Sequence, residues 1–236
     1  MLFVNPFDRS VIGFLNQFAR RSRVFDAFVV LIDGENLLKG GFIMVLYWWE
    51  WFRQEEHQDR REYLLFTMIA GVFSIFVART LGVVLPFRTR PVFDTTLAFR
   101  IPYNFNTYWL INWNSFPSDH AILFFCLSAG LWFVSRRLSL IAMAQTFFII
   151  TLPRVYLGIH FPTDIIGGGL LGIVIASTAQ LSWLRESVTR YPKAWLQKYP
   201  EWFYSAMFAY SFETAELYRS ALAVGRALWL GARRLL

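Results

Sequence analysis

Apolar residues run through this chain in long blocks separated by short charged stretches. Over residues 1–32, Val11, Phe14, Leu15, Phe18, Phe25, Phe28 and Val29 recur at helical spacing, while Asn16, Arg20, Arg21 and Arg23 take the other positions. That pattern predicts an amphipathic helix lying at a membrane interface, broken at Asp33-Gly34. The next block, residues 37–52, reads as a first span whose Lys39 and Glu50, near its two ends, snorkel outward. A charged loop follows over 53–62, with His57 as a surface residue. Residues 63–85 form the clearest span; Arg79 is its one interior charge and Pro86 ends it.

The connection over 86–116 holds Arg88, Arg90, Asp94 and Arg100, then Tyr103, Phe105, Tyr108, Trp109, Trp113 and Phe116. So many aromatics predict a segment in the interface, serving as an anchor or as a lid. Three further spans follow: 118–134, 138–157 after the tight Ser135-Arg136-Arg137 turn, and 164–183. Gly168 and Gly172, four apart in the last, offer a face for close helix approach. In the tail, 185–236, Leu217, Ala221, Val224, Leu228 and Leu235 share one face and Arg219, Arg226 and Arg233 another. This predicts an in-plane helix, with a sixth span over 202–218 as the alternative. The expected fold class is therefore an all-α integral membrane protein of five or six spans, with amphipathic interfacial helices at both ends. No repeat or linker divides it: 1–236 reads as one domain, with an interfacial helix at 1–32, a transmembrane core at 37–184 and a tail at 185–236.

Composition sharpens this picture. Of 236 residues 56% are hydrophobic, 19% aromatic and only 17% charged, more apolar than a soluble domain of this length. The net charge of +7 does not imply nucleic acid, because the basic residues flank apolar runs. No cleavable signal peptide is expected, since Asp8 interrupts the N-terminus. The one cysteine, Cys126, lies in an apolar run; it reads as a packing residue and excludes an intrachain disulfide or a cysteine metal cluster. Arg53, Arg60, Arg61, Arg136, Arg137, Arg185, Arg190 and Lys193 fall on one side of the membrane, and Arg88, Arg90, Arg100 and Arg154 on the other. The first side is cytoplasmic by the positive-inside rule, although Arg20, Arg21 and Arg23 fall outside on a five-span count.

The outward side collects three unusual stretches: FRTRP at 87–91, FPSDH at 116–120, and PRVYLGIHFPTDIIGGG at 153–169. Charged residues at the mouth of apolar segments are expensive, so function is the default reading. Of three histidines, two, His120 and His160, belong to these stretches. Phosphoester cleavage needs a nucleophile, a proton donor to the leaving oxygen, and positive charge around the equatorial oxygens. A neutral imidazole serves as nucleophile when its other nitrogen is held by a carboxylate, and Asp164 stands four residues after His160. Two His and one Asp also suit zinc, but the surrounding arginines repel a cation, so neither metal nor cofactor is expected. Asp164 has a second available role as a helix cap.

Together these stretches resemble the three signatures of the PAP2 lipid phosphatases, K-x6-RP, PSGH and SR-x5-H-x3-D, over the 80 or so residues from Arg88 to Asp164. The resemblance implies a PAP2-like helical core, with His160 as the nucleophile that forms a phosphohistidine, Asp164 as its orienter and His120 as general acid. It implies Arg90, Arg154 and Ser118 as phosphate-binding residues, and no cofactor. Three positions depart from the pattern. The lysine of the first signature falls at Val83, leaving Arg88, or else Arg79, to supply that charge. Asp119 replaces the glycine of PSGH, as in bacterial undecaprenyl-pyrophosphate phosphatases of the bacitracin-resistance type, and Pro153 replaces the serine. The implied activity is hydrolysis of undecaprenyl pyrophosphate to the monophosphate, on the outer face of a bacterial inner membrane. Asp119, Arg100 and Arg79 are further candidate substrate contacts. The alternatives are a phosphatidic acid or phosphatidylglycerophosphate phosphatase with the same chemistry, and a lipid-phosphate transporter or binding protein on this scaffold. The vanadium haloperoxidases share similar motifs but are soluble. Nothing in the sequence signals an oligomeric state.

Overall fold

The computed structural model describes residues 4–53 and 58–218. Among these the regular structure is entirely helical. The N-terminal segment forms two helices, α1 (Pro6–Asn16) and α2 (Arg23–Gly34), where the apolar periodicity predicts one. The break is local. Ser22 takes an extended conformation, and its hydroxyl accepts from the Phe25 amide at 3.3 Å, the geometry of a fresh N-cap. Arg20, in the left-handed region at φ 65°, turns the chain between them.

The aromatic face of α1 and α2, with Phe7, Phe14, Phe18, Phe25 and Phe28, is exposed, whereas Asp8, Asp26 and Asp33 are buried. A lipid-facing helix inverts the soluble pattern: its apolar side meets hydrocarbon and its carboxylates turn to partners inside the protein. Asp26, for example, accepts from the Tyr156 hydroxyl and from the Tyr103 and Arg20 amides.

A π-helical turn, Leu37–Gly41, leads into α3 (Phe42–Arg53). Lys39 and Glu50 do not snorkel as expected: both are buried, Lys39 donating to the Asp33 carbonyl at 2.5 Å and Glu50 facing Arg53 and Arg60 at 3.9 and 4.0 Å. The following α4 (Gln58–Val84) is the longest helix among the described residues. The connection beyond it has short 3-10 turns at Pro91–Phe93, Thr95–Leu97 and Tyr108–Leu110.

The centre of the molecule is α5 (Asp119–Gly130), almost wholly buried. It packs on α8 (Pro162–Ser177), and here the glycines decide the geometry. A Cβ on Gly172 would lie 2.3 Å from the Ile122 carbonyl oxygen, and one on Gly168 would lie 2.8 Å from that of Ser118. The two backbones meet because side chains are missing between them. Polar groups join the other helices: Tyr47 Oη donates to the Leu127 carbonyl at 2.8 Å, and Ser139 Oγ to that of Ser128, also at 2.8 Å. Between these helices, α6 (Arg136–Gln145), a π turn over Thr146–Thr151 and α7 (Leu152–Tyr156) run as one rod.

Beyond α8 come α9 (Ser182–Lys198) and α10 (Pro200–Ala215). The latter covers most of 202–218, the alternative sixth span, within the tail read as an in-plane helix. Phe203 stacks on Trp51 at 6.0 Å, Ser211 accepts from Trp48 Nε1 at 2.9 Å, and Tyr210 Oη donates to the Met68 carbonyl at 2.8 Å, so α10 packs along α3 and α4. The face carrying Ala221, Val224, Leu228 and Leu235, the arginines 219, 226 and 233, and His57 all lie outside the described residues. Among the described residues, three stretches are long and apolar enough to cross a membrane: Arg60–Val84, Arg136–Tyr156 and Pro162–Gln180; Asp119–Phe133 is a shorter apolar helix.

Candidate active site

At one end of this bundle meet the last turn of α7, the first turns of α5 and α8, and the connection after α4. Gly158 makes the sharpest turn there. It adopts φ 71°, and a Cβ would lie 2.6 Å from the Phe99 ring, so only glycine suits the position. The amides of Ile159 and His160 fold back onto the Arg154 carbonyl at 2.9 and 3.3 Å, bringing Arg154 and His160 to opposite sides of one tight corner. Pro162 then opens α8 at its first turn, and Asp164 Oδ2 accepts from the Phe161 amide at 2.7 Å.

His160 is buried. Its Nδ1 lies 2.8 Å from the Ser115 carbonyl oxygen, its Nε2 lies 3.5 Å from Arg90 Nη1, and Asp164 Oδ2 is 3.7 Å from Nδ1. A carbonyl only accepts, so Nδ1 carries the proton and the Nε2 lone pair faces the guanidinium. Burial, then the Arg90 charge, lowers the His160 pKa from 6.5, which keeps the imidazole neutral. The orienting acceptor is thus a backbone carbonyl, and Asp164, expected in that role, stands one step back. Asp164 accepts from Ser115 Oγ at 2.6 Å and Arg88 Nη1 at 2.5 Å, so it fixes the segment that presents the carbonyl.

Arg90 is aimed by backbone. It donates to the carbonyls of Trp113 at 3.2 Å, Asn114 at 3.0 Å and Ile159 at 2.7 Å. Burial lowers its pKa to about 10, leaving it charged at neutral pH. His120, in the first turn of α5, places Nδ1 2.8 Å from Asp119 Oδ1 and Nε2 2.8 Å from Arg154 Nη2. Because Arg154 only donates, Nε2 accepts and the His120 proton lies on Nδ1, toward Asp119. Arg154 acts electrostatically on both imidazoles, and Asp119 reaches Arg90 and His160 as well as His120. Ser118 caps α5, its Oγ accepting from the Ala121 amide at 3.3 Å.

Three residues expected at the site are held elsewhere. Arg88 is clamped by carboxylates: Nη2 donates to Asp8 Oδ2 at 2.6 Å and Nη1 to Asp164, while the guanidinium lies 4.2 Å over the Phe161 ring. Arg79 Nη2 donates to the Leu217 carbonyl at 2.9 Å, tying α4 to the chain after α10. Arg100 trades backbone bonds of 2.8 Å with Asn16, and with Arg9 and Arg21 lines a cavity of about 370 Å³ beside α1. Sequence reasoning missed Asp8, Asp33, Lys39, Ser115 and Thr163. Asp8 bonds the Thr163 amide at 3.0 Å and Asp33 Oδ1 lies 3.3 Å from Arg154 Nε. The available signal was the presence of carboxylates among the apolar residues of the N-terminal helices. Among the described residues no cluster of three His, Cys, Asp or Glu is placed to hold a metal.

The family model described as the PAP2 superfamily matches residues 61–186. Over 124 residues, 52% of the chain, the sequence is 32% identical to the putative undecaprenyl-diphosphatase YbjG of Escherichia coli K12. Over 139 residues, 53% of the chain, it is 27% identical to the bacitracin transport permease protein BcrC of Bacillus licheniformis. The matches span 59% and 63% of those relatives. The crystal structure of a transmembrane PAP2-type phosphatidylglycerolphosphate phosphatase from Bacillus subtilis superimposes with a TM-score of 0.50 at 19% identity, covering 73% of this chain and 82% of that one. At that identity the likeness is one of fold.

Proposed function

The chain belongs to the PAP2 superfamily, and from that premise we propose that it hydrolyses undecaprenyl pyrophosphate to the monophosphate and inorganic phosphate. One observation carries the chemistry: a buried, neutral His160 whose Nδ1 proton is engaged by a fixed carbonyl and whose Nε2 lone pair faces Arg90. Nε2 attacks the terminal phosphorus in line, forming an N–P bond as the P–O bond to the lipid monophosphate breaks. Arg90 and Arg154 hold the equatorial oxygens, joined by the N-terminal amides of α5 behind Ser118. When phosphate enters, Arg154 turns from His120 Nε2 to the substrate. That nitrogen takes up a proton from solvent and passes it to the leaving oxygen, while Asp119 stabilises the imidazolium. In the second half His120 takes a proton from water, the water oxygen attacks the phosphohistidine, the N–P bond breaks and phosphate leaves. Asp164 and Arg88 act at one remove, by holding the loop.

Asp119 in place of glycine and the name of the Escherichia coli relative support the polyprenyl substrate. The lipid tail remains in the bilayer, and the site opens on the outer face of a bacterial inner membrane, within a single domain of five or six spans. The name of the Bacillus licheniformis relative, a bacitracin transport permease protein, favours a second reading, transport or binding without turnover. The oriented imidazoles count against it, because binding alone needs only the arginines.

The test is phosphate release by purified protein in detergent, without added divalent metal, from undecaprenyl pyrophosphate and from phosphatidic acid and phosphatidylglycerophosphate at matched concentration. Release is fastest from the pyrophosphate and is abolished in His160→Ala. Faster cleavage of a monoester sinks the substrate assignment, activity surviving in His160→Ala sinks the nucleophile, and tight binding with no release favours transport.

A further inference from the structure

We infer that Lys39 binds the leaving phosphate of a diphosphate substrate and thereby selects diphosphates over monoesters; this rests on the phosphatase reading above. Lys39 is only 3% exposed, which places a positive charge inside an apolar protein. The chain holds this one deliberately. The π turn Leu37–Gly41 places it, and π turns in helices recur at functional sites. Gln145 Nε2 donates to the Leu38 and Lys39 carbonyls at 2.5 and 3.2 Å. Gly40 lies so close to α10 that a Cβ would be 2.7 Å from Ala215 Cα, which locks the turn from the other side.

From there the ammonium joins the His120 half of the site. It donates to the Asp33 carbonyl at 2.5 Å; the Asp33 carboxylate lies 3.3 Å from Arg154 Nε; Arg154 Nη2 lies 2.8 Å from His120 Nε2. Lys39 also acts electrostatically on His120. Asp33 Oδ1 and Arg154 Nε, though close, make no hydrogen bond, so this arm is charged and only partly satisfied. His120 is the group assigned to protonate the leaving oxygen, so a cation on its side stands where the leaving group accumulates charge. When the leaving group is an alcohol, one proton suffices. When it is a phosphate, its remaining oxygens stay anionic and call for a further cation. The other two candidates for that charge have partners of their own: Arg88 is bound between Asp8 and Asp164, and Arg79 bonds the Leu217 carbonyl. Lys39 supplies this further cation from a distant part of the chain.

The experiment measures binding of inorganic pyrophosphate and inorganic phosphate to full-length His160→Ala protein in detergent, with and without Lys39→Met or Lys39→Arg. Lys39→Met should weaken pyrophosphate by about tenfold or more and phosphate by less than about threefold, with Lys39→Arg close to the parent. In the otherwise unmodified enzyme, Lys39→Met should lower kcat/KM for the lipid diphosphate far more than for a lipid monophosphate. Equal losses for both anions, no loss, or a parent that does not bind pyrophosphate overturns the inference. A lower melting temperature with unchanged anion selectivity does so too, by reducing Lys39 to a cap on α2. Failure of the phosphatase reading shows separately, as absent phosphate release from unmodified protein.

Discussion

Arg88 Nη1 lies 2.5 Å from Asp164 Oδ1, whereas His160 Nδ1 is 3.7 Å from Asp164 Oδ2. The carboxylate thus serves the loop more directly than the imidazole. It joins the start of α8 to the connection after α4 through Arg88 and Ser115, and Arg88 carries the link on to Asp8 in α1. Removing one member leaves a buried charge without its partner. Asp164→Asn should destabilise the protein by about 3 kcal/mol, read from thermal or denaturant unfolding in detergent. Combining it with Arg88→Met should cost less than the sum of the two single changes. Additive losses would mean that the pair is not coupled.

The pH profile should expose His160. Burial and Arg90 lower its pKa, so the imidazole is neutral above 6.5 and the acid limb of kcat/KM attributable to it lies below 6.5. Arg90→Gln removes a cation that opposes protonation. The limb should move to higher pH in that variant even as the rate falls; a limb that stays put or moves down would show that Arg90 does not face the nucleophile.

Asp119→Asn keeps the shape beside His120 Nδ1 but removes the charge that stabilises the imidazolium. Phosphate release from the lipid diphosphate should slow by about 10²-fold, the scale of general acid catalysis. A substrate whose leaving group needs no proton, such as p-nitrophenyl phosphate, should be affected much less. An equal loss on both substrates would assign Asp119 to binding.

Gly172 sets the distance between α5, which carries His120, and α8, which follows the turn that carries His160. Gly172→Ala puts a methyl 2.3 Å from the Ile122 carbonyl oxygen, so backbone must move. Overpacking of this kind costs about 1–3 kcal/mol, and activity should fall with it as α5 shifts His120 away from His160. Gly82→Ala meets nothing within 4 Å and is the matched control, expected to leave stability and rate unchanged.

Much of this was legible along the chain. Long apolar runs gave the helical class, Pro86 the end of the long helix within two residues, and Gly168 and Gly172 the close pair of helices. The three polar stretches declared themselves because charges next to apolar runs are costly and few. These are short-range properties, carried by residues within a few turns of one another. The tertiary structure alone decided the division of labour. Arg88 meets Asp8 across 80 positions, and Thr163 meets it across 155. His160 is oriented by a carbonyl, which any residue at position 115 would carry and no motif can encode. Lys39, read as a snorkelling residue, faces inward because Asp33, Gln145 and α10 enclose it. Sequence spacing says which groups share a face of one helix; which charge neutralises which is settled only where separate segments pack out of water, and there each ion's energy depends on neighbours far away along the chain.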